Sequence, residues 1–428
     1  MGNRGGTGLL KASVAGLALA TAVFSGAASP DRVLTLEQSV QTGLQNSQSL
    51  LSVRDDVRMA QQRIVEARSL YYPTLALNMN ASRYRAKDYV ALPGEFGSTV
   101  LSPSTDPDEF YAGRAQLRQM LYNGGRNRAN LQLAEAALAQ ARIREESIRG
   151  QVTVDAVRTF FDVLLAEKRW ALADQARQEV LALSVKVRGS DATTLNALAS
   201  RLRRRQADAR RDLEAARLAY LSAVGLELYT TVELTGDLTT TPVQESLPKL
   251  LARAQEARLE IRGTEYQREM DRLAVNLTES ERNPVVVFGA AYELNNSDFP
   301  LDRAFWNATL NVNLPIFDGF ASRSRIRQSR LLASQNRIAR AEVEDRINRE
   351  VRETYNDVMF WQSEIGERKI DLDRLLATTR NERGSATVDS ALSRTELMEA
   401  WDAYWESIHG HRVARAKLEK AVGLPLAP

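Results

Sequence analysis

The chain's only two histidines, His409 and His411, stand either side of Gly410. A catalytic metal site would place imidazoles four residues apart on one helical face or among carboxylates, and an acyl-transfer site would set a nucleophile beside its base. Neither pattern surrounds these residues, so they read as a satisfied or exposed pair and no enzyme is expected. Cysteine is absent, which excludes disulfides, thiolate-bound zinc, iron–sulfur clusters and thiol nucleophiles. No cofactor or resident metal is expected. The arginines at Arg201, Arg203, Arg204, Arg205, Arg210 and Arg211 are interleaved with Asp208, Asp212 and Glu214, the pattern of ion pairs along a helix. With 57 basic against 54 acidic side chains, the net charge of +3 is too diffuse to call for a nucleic acid. Two short polar turns remain, Arg188-Gly189-Ser190 and Arg383-Gly384-Ser385, with Asp191 and Asp389 just beyond them. Either carboxylate would attract cations if symmetry gathered copies of it into a ring, and would simply be solvated if not.

Those turns belong to a duplication. Thr159-Phe160-Phe161-Asp162-Val163 returns as Thr354-Tyr355-Asn356-Asp357-Val358, and both turns and the Tyr122-Asn123-Gly124 and Phe317-Asp318-Gly319 pair keep the same offset, 354 − 159 = 383 − 188 = 317 − 122 = 195 residues. Ala223-Val224-Gly225-Leu226 pairs with Ala421-Val422-Gly423-Leu424 at 421 − 223 = 198, and Pro73 with Pro284 at 284 − 73 = 211. The first copy therefore carries 211 − 195 = 16 extra residues between its proline and its glycine turn, in a loop. A unit this long is a duplicated half and not a solenoid repeat. The spacing predicts a first repeat over 30–226, a linker over 227–246 and a second repeat over 247–428.

Each half reads as helix, strand, loop, strand, very long helix, turn, helix. Leu75, Leu77, Met79 and Ala81 alternate with Ala76, Asn78, Asn80 and Ser82, and Trp306, Ala308, Leu310, Val312 and Leu314 alternate with asparagines and Thr309. Strands are predicted at about 74–86, 110–121, 285–294 and 304–316, the second and third with noisier patterns. At ten to twelve residues each is long enough to cross a bilayer obliquely. Aromatics at Tyr71, Tyr72, Tyr84, Tyr89, Tyr111, Tyr122, Tyr292, Phe305, Trp306 and Phe317 collect near strand ends, as in an interfacial girdle or at the edges of a soluble sheet. From Arg126 to Val187 there is no proline and only Gly150, predicting a helix of roughly 90 Å; its copy runs from Ala321 to Arg383. Leu131, Ala134, Leu138, Ala141, Ile148 and Val152 make a coiled-coil seam, and Val157, Phe161 and Leu164 a second stripe, so this helix needs neighbours on two sides. Return helices are predicted at 194–224 and 392–422.

The N-terminus supplies an address. Arg4 and Lys11 precede an apolar or small run, Ala12 to Phe24, and then small residues up to Ser29 and Pro30, the pattern of a secretory signal peptide over 1–29. Four membrane-crossing strands cannot close a barrel, and open edges in lipid leave backbone groups unsatisfied. The chain must oligomerise: three copies would give 3 × 4 = 12 strands, and the physics alone also allows two.

Over nearly the whole mature chain the sequence resembles the bacterial outer membrane efflux protein family, the TolC-like export ducts. The likeness is carried by Glu66-Ala67-Arg68 leading through Tyr72-Pro73 to Leu75 and Leu77, by Leu117 through Tyr122-Asn123-Gly124-Gly125, by Leu314-Pro315-Ile316-Phe317-Asp318-Gly319, and by both Gly-Leu ends. The resemblance implies a mostly α chain with a transmembrane β portion, four strands per chain completing a trimeric 12-stranded barrel above a long periplasmic α-helical barrel. It implies an exit duct of a tripartite efflux pump or type I secretion system in the outer membrane, with a homotrimer, a periplasmic adaptor, an inner-membrane pump and outer membrane lipid as partners. Arg188, Gly189, Ser190, Arg383, Gly384 and Ser385 would be the adaptor-contacting tip turns, though plain helix connectors would also explain the glycines. Asp191 and Asp389 are candidates for a pore constriction, and Pro73, Gly124, Pro284, Pro315 and Gly319 for helix–strand junctions. The best-known family member has a tyrosine and an arginine before the second turn and two aspartates after it; counted from Gly384, the equivalent positions here hold Asn381, Ala386, Ser390 and Ser393, so those locks are not reproduced. The rival expectation is a periplasmic coiled-coil adaptor or scaffold without a pore, against which the duplicated strand hairpins count.

Overall fold

The computed structural model describes residues 32–83, 90–92, 99–101, 109–296, 301–381 and 387–423. The expected signal peptide, residues 84–86 of the first expected strand and the whole Arg383-Gly384-Ser385 turn lie outside them. The first half runs β1 (Arg32–Leu34), α1 (Leu36–Asn46), α2 (Gln48–Ser69), β2 (Thr74–Arg83), a short hairpin of β3 (Val90–Leu92) and β4 (Thr99–Leu101), β5 (Glu109–Asn123), α3 (Arg126–Ser184) and α4 (Ser190–Ala223). The second runs β6 (Val232–Leu234), α5 (Leu247–Ala257), α6 (Leu259–Glu279), a single 3₁₀ turn, β7 (Val285–Asn296), β8 (Arg303–Asn313), α7 (Ala321–Asn381) and α8 (Val388–Val422).

The two hairpins join into one antiparallel sheet of order β2-β5-β7-β8. Its register resolves the noisy strands. Leu75 and Leu77 face Leu117 and Ala115; these face Ala290 and Tyr292; and these in turn face Ala308 and Trp306. Successive side chains alternate faces, so one face of the sheet carries Leu75, Leu77, Met79, Leu117, Val286, Phe288, Leu294, Leu310 and Val312 with no charged residue between Gln119 at one end and Asn296 at the other. The opposite face carries Asn78, Asn80, Arg114, Gln116, Arg118, Glu293, Asn307, Thr309, Asn311 and Asn313. Leu75, Leu77, Met79, Trp306, Leu310 and Val312 remain 62–79% exposed in the single chain, an apolar surface that water alone would not tolerate at this size.

Two strand ends differ from expectation. β8 stops at Asn313, because Pro315 has no N–H to give to a ladder. β5 instead continues to Asn123 by way of a bulge between Met120 and Tyr122. Phe305 falls on the polar face, opposite Glu293, and so outside any lipid-facing girdle. Tyr111, Tyr122, Tyr292 and Trp306 share the apolar face, and Tyr71, Tyr72 and Phe317 lie exposed below the sheet.

The helices α3 and α7, at 59 and 61 residues, span roughly 90 Å each. α3 packs against α2 and α6 in its first part and against α4 and α8 further on, as its two stripes require; among the described residues α7 packs mainly against α8, α6 and α5. The other flank of α7 exposes Leu331, Leu332, Ile338, Phe360 and Ile370, and on the outer flank of α2 Leu51, Met59 and Val65 are exposed. Each half has its own core where the short helices meet the long ones, around Phe160, Val163, Tyr220 and Val224 in the first and Ile347, Val351, Leu418 and Val422 in the second.

The segment between the repeats is not a free linker. β6 pairs in parallel with β1, Leu34 beside Leu234, and Leu234 enters the first core while Val243 enters the second. At the α5–α6 joint the guanidinium of Arg258, 7% exposed, donates to Glu260, to Glu350 (2.9 Å) and to the carbonyls of Lys420 and Ala421 at the end of α8. A buried cation is tolerable only when so paired, and here it satisfies carbonyls that a helix end leaves open. No described helix is long and apolar enough to cross a membrane.

Candidate functional site

The candidate site residues fall at the two ends of the long helices. Where strand meets helix, the duplicated Tyr122-Asn123-Gly124 and Phe317-Asp318-Gly319 motifs have one physical job. The Asn123 side-chain oxygen accepts the backbone N–H of Asn127 (3.2 Å), and the Asp318 carboxylate accepts that of Ser322 (2.7 Å) together with the Ser322 hydroxyl. Each satisfies an open N–H in the first turn of its long helix. The Ser322 donors hold the Asp318 carboxyl below its usual pKa. Gly124 adopts φ +68°, and a Cβ there would lie 2.5 Å from the Cβ of Asn283, whose amide donates to the Gly124 carbonyl (3.1 Å). Pro73 and Pro284 directly precede β2 and β7, Pro315 follows β8, and Gly319 turns the chain into α7 at φ +66°.

At the far end, α3 stops at Ser184, three residues short of expectation, and α4 starts at Ser190, four before it. Gly189 lies between at φ +80°, ψ −145°, a conformation closed to side-chain-bearing residues, with open space around it. Arg188, Gly189, Ser190 and Asp191 are all exposed. In the second half Thr387 caps α8: the Ser390 N–H donates to the Thr387 hydroxyl (3.2 Å) and the Ser390 hydroxyl to the Thr387 carbonyl (2.9 Å). Ser390 is thereby buried in a capping role. Asp191 and Asp389 both occupy the first turn of their helices, exposed, where the helix dipole favours a carboxylate. Above the turns, Val180, Leu183, Leu195, Ala199 and Leu202 pack with Ala391 and Met398, so the first hairpin is fastened to the start of α8.

A polar seam that sequence reasoning missed continues this contact. Asp402 receives both Arg169 and Arg205 (3.3 Å); Arg169 also reaches Glu406 and Arg205 reaches Glu399, each at 3.0 Å. Arg394 pairs with Glu179 (3.2 Å), and His409 Nε2 bonds Asp162 (2.7 Å). Arg211 does pair along its own helix, with Asp208 and Asp212, but Arg205 crosses to α8. The partners lie about two hundred residues apart, with nothing local in the sequence to join them.

His411 is wholly buried, sharing a hydrogen bond with the Thr240 hydroxyl through Nδ1 while Nε2 has no partner. Arg412 and Arg415 hold the neighbouring Thr239 and Thr241, so this stretch of α8 binds the inter-repeat segment as a strap. Burial, with Arg415 and Arg412 adding repulsion, pushes the His411 pKa down to about 4.

The duplicated subunit, with its four-stranded sheet and two long helical hairpins, is a fold that known proteins share. The profile of the family described as "Outer membrane efflux protein" matches residues 40–235. The chain is 23% identical over 360 residues to the outer membrane efflux protein BepC of Brucella suis biovar 1 (strain 1330), covering 80% of this chain and 74% of BepC. Its fold is similar to that of CusC (TM-score 0.73, 13% identity, 94% of this chain and 96% of CusC) and of the outer membrane protein VceC of Vibrio cholerae (TM-score 0.72, 15% identity, 92% and 97%). Residues 40–235 thus match the outer membrane efflux protein family, and the chain as a whole shares the fold of CusC and VceC. BepC is named as an outer membrane efflux protein and VceC as an outer membrane protein.

Because the neutral imidazole of His411 is the form that folding favours, the unfolded chain binds the extra proton first, and stability is lost as pH falls from about 6.5 to about 4. The loss is on the order of 3 kcal/mol at the lower pH. Thermal midpoints measured across this range should fall for the native chain, and less steeply for His411→Gln.

Proposed function

We propose that the chain works as one third of a homotrimeric duct, carrying small molecules or polypeptides from an inner-membrane pump, through a periplasmic adaptor, to the exterior. The observation that carries the trimer is the sheet. β2 and β8 are its edges, they run in opposite directions, and each leaves a row of N–H and C=O groups unpaired. An apolar face in lipid leaves those rows no partner but the next copy. Three copies give 3 × 4 = 12 strands with the Asn- and Arg-bearing face inward. The same rotation sets the exposed aliphatic flank of α7 against α2 and α4 of the next copy, extending the barrel as a helical cylinder.

Arg188, Gly189 and Ser190, with Arg383, Gly384 and Ser385, form the tip that meets the adaptor in this reading. Support comes from the exposure of the first turn and from a backbone at Gly189 that only glycine adopts readily. Asp191 and Asp389 stand just inside the tip as candidates for its constriction. The adaptor-or-scaffold alternative loses ground because it has no use for a sheet with one wholly apolar face.

Leu77→Lys and Ala76→Lys test the inside-out reading of the sheet at adjacent positions. Lysine at a lipid-facing site near the midplane costs about 2–4 kcal/mol. Heat-stable trimers in extracted outer membranes should therefore be lost in Leu77→Lys and kept in Ala76→Lys; equal behaviour would contradict it. Replacing Gly189 and Gly384 together with valine should leave those trimers intact while export falls, and normal export by the double variant would refute the assignment of the turns.

A further inference from the structure

We propose that Arg118 makes the lumen of the barrel an anion-favouring passage, so that the outer part of the duct selects for negatively charged solutes. The inference rests on the duct reading above, and on the charge inventory of the sheet's polar face. Among the described residues that face carries three cations, Arg114, Arg118 and Arg303, against one carboxylate, Glu293. Glu293 stands directly opposite Arg114 and also accepts from the Asn295 amide (3.1 Å). Those charges offset one another.

Arg118 has no such neighbour. Across the sheet it lies beside Thr74 on β2 and Gly289 on β7, with Thr309 beyond on β8. The flanking rows hold Ala76, Gln116, Ala291 and Asn307 on one side and Met120, Val287 and Asn311 on the other. No carboxylate occupies any of these positions. The side chain is exposed and makes no hydrogen bond or ion pair among the described residues. Glycine opposite it removes the side chain that would otherwise cover the guanidinium stem. The second repeat carries a neutral residue at the matching place, Asn313, since 313 − 195 = 118. The charge is thus an addition to one copy of a duplicated strand, and ladder geometry alone does not demand it.

Twelve strands spaced 4.8 Å apart and tilted about 40° close to a backbone radius of roughly 12 Å. Three guanidinium groups reaching inward from that radius leave every solute within about one Debye length of a fixed cation at 0.1 M salt, and well within it at 0.01 M. Unpaired fixed charges in a narrow, low-dielectric passage raise the local concentration of the opposite ion. Small inorganic anions, and organic anions of similar size, are the solutes favoured.

The chain's lack of cysteine allows one to be placed where the local ion concentration can be read. Ala291→Cys, one row outward on β7 and about 7 Å diagonally from Arg118, would carry a thiol-reactive fluorophore in purified trimers. Quenching by iodide, relative to caesium, is measured at low salt with Arg118 intact, as Arg118→Gln and as Arg118→Glu. The barrel is reached from its outer mouth, so the readout does not depend on the state of the tip. The expected result is a fall in the iodide-to-caesium ratio of about threefold in Arg118→Gln and a further fall in Arg118→Glu, both shrinking in high salt as screening requires. An unchanged ratio in trimers of all three forms would overturn the anion assignment and leave the duct standing. Failure of the native chain to form detergent-stable trimers would overturn the duct reading itself.

Discussion

Backbone hydrogen bonding is the constraint from which the rest follows. A four-stranded sheet with one uncharged apolar face is stable only against lipid or another apolar layer, and among the described residues that face stands open: Leu75, Met79 and Trp306 are each more than 70% exposed. Once that face is in lipid, the free edges of β2 and β8 have no water to bond, and symmetry-related copies become a requirement of the fold. Each sheet then fixes the origin of two long helices, because Asn123 and Asp318 cap α3 and α7 at the strand–helix junctions. A helical cylinder coaxial with the barrel is the geometric outcome; α3 and α7 are of nearly equal length, with the Gly189 turn at the far end of α3.

The duplication is not carried equally everywhere. The junction caps are nearly the same in both halves, an amide in one and a carboxylate in the other. Elsewhere the copies diverge: Arg258 binds the end of α8 at a joint where the first half has Ser47, and Arg118 stands on the sheet's polar face where the second half has Asn313. The seam between α3–α4 and α8 likewise joins unlike residues, with Arg169 and Arg205 converging on Asp402. A pseudo-twofold relation thus sets the scaffold, and the asymmetric substitutions on it supply polarity and fastening.

Much of this was legible in the sequence for physical reasons. Period-two alternation in 74–82 and 304–314 and the absence of proline over sixty residues are local signals, and the equal offsets of the paired motifs exposed the repeat directly. The faces of β5 and β7 were not legible, since Arg114, Gln116 and Arg118 alternate with Ala115 and Leu117 too weakly, and the assignment came only from the register with β2 and β8. Helix starts were misplaced by four residues because Gly189 and the Thr387–Ser390 cap act outside any hydrophobic period. The Asp402 seam and the parallel β1–β6 pair were invisible, as both join residues about two hundred positions apart with nothing local to mark them. Ser390, singled out in the sequence only by its distance from Gly384, is occupied in capping α8.

The central claim is that β2 of one copy pairs with β8 of the next. It is tested most directly by cysteine crosslinking in outer membranes, with one cysteine at Asn78 or Asn80 and one at Asn307, Thr309 or Asn311 in an otherwise cysteine-free chain. The account predicts that at least one pair, on mild oxidation, yields a covalent ladder ending at three chains, 3 × 47.7 = 143.1 kDa before removal of any leader. Crosslinks confined within single chains, or a ladder ending at two, would contradict it.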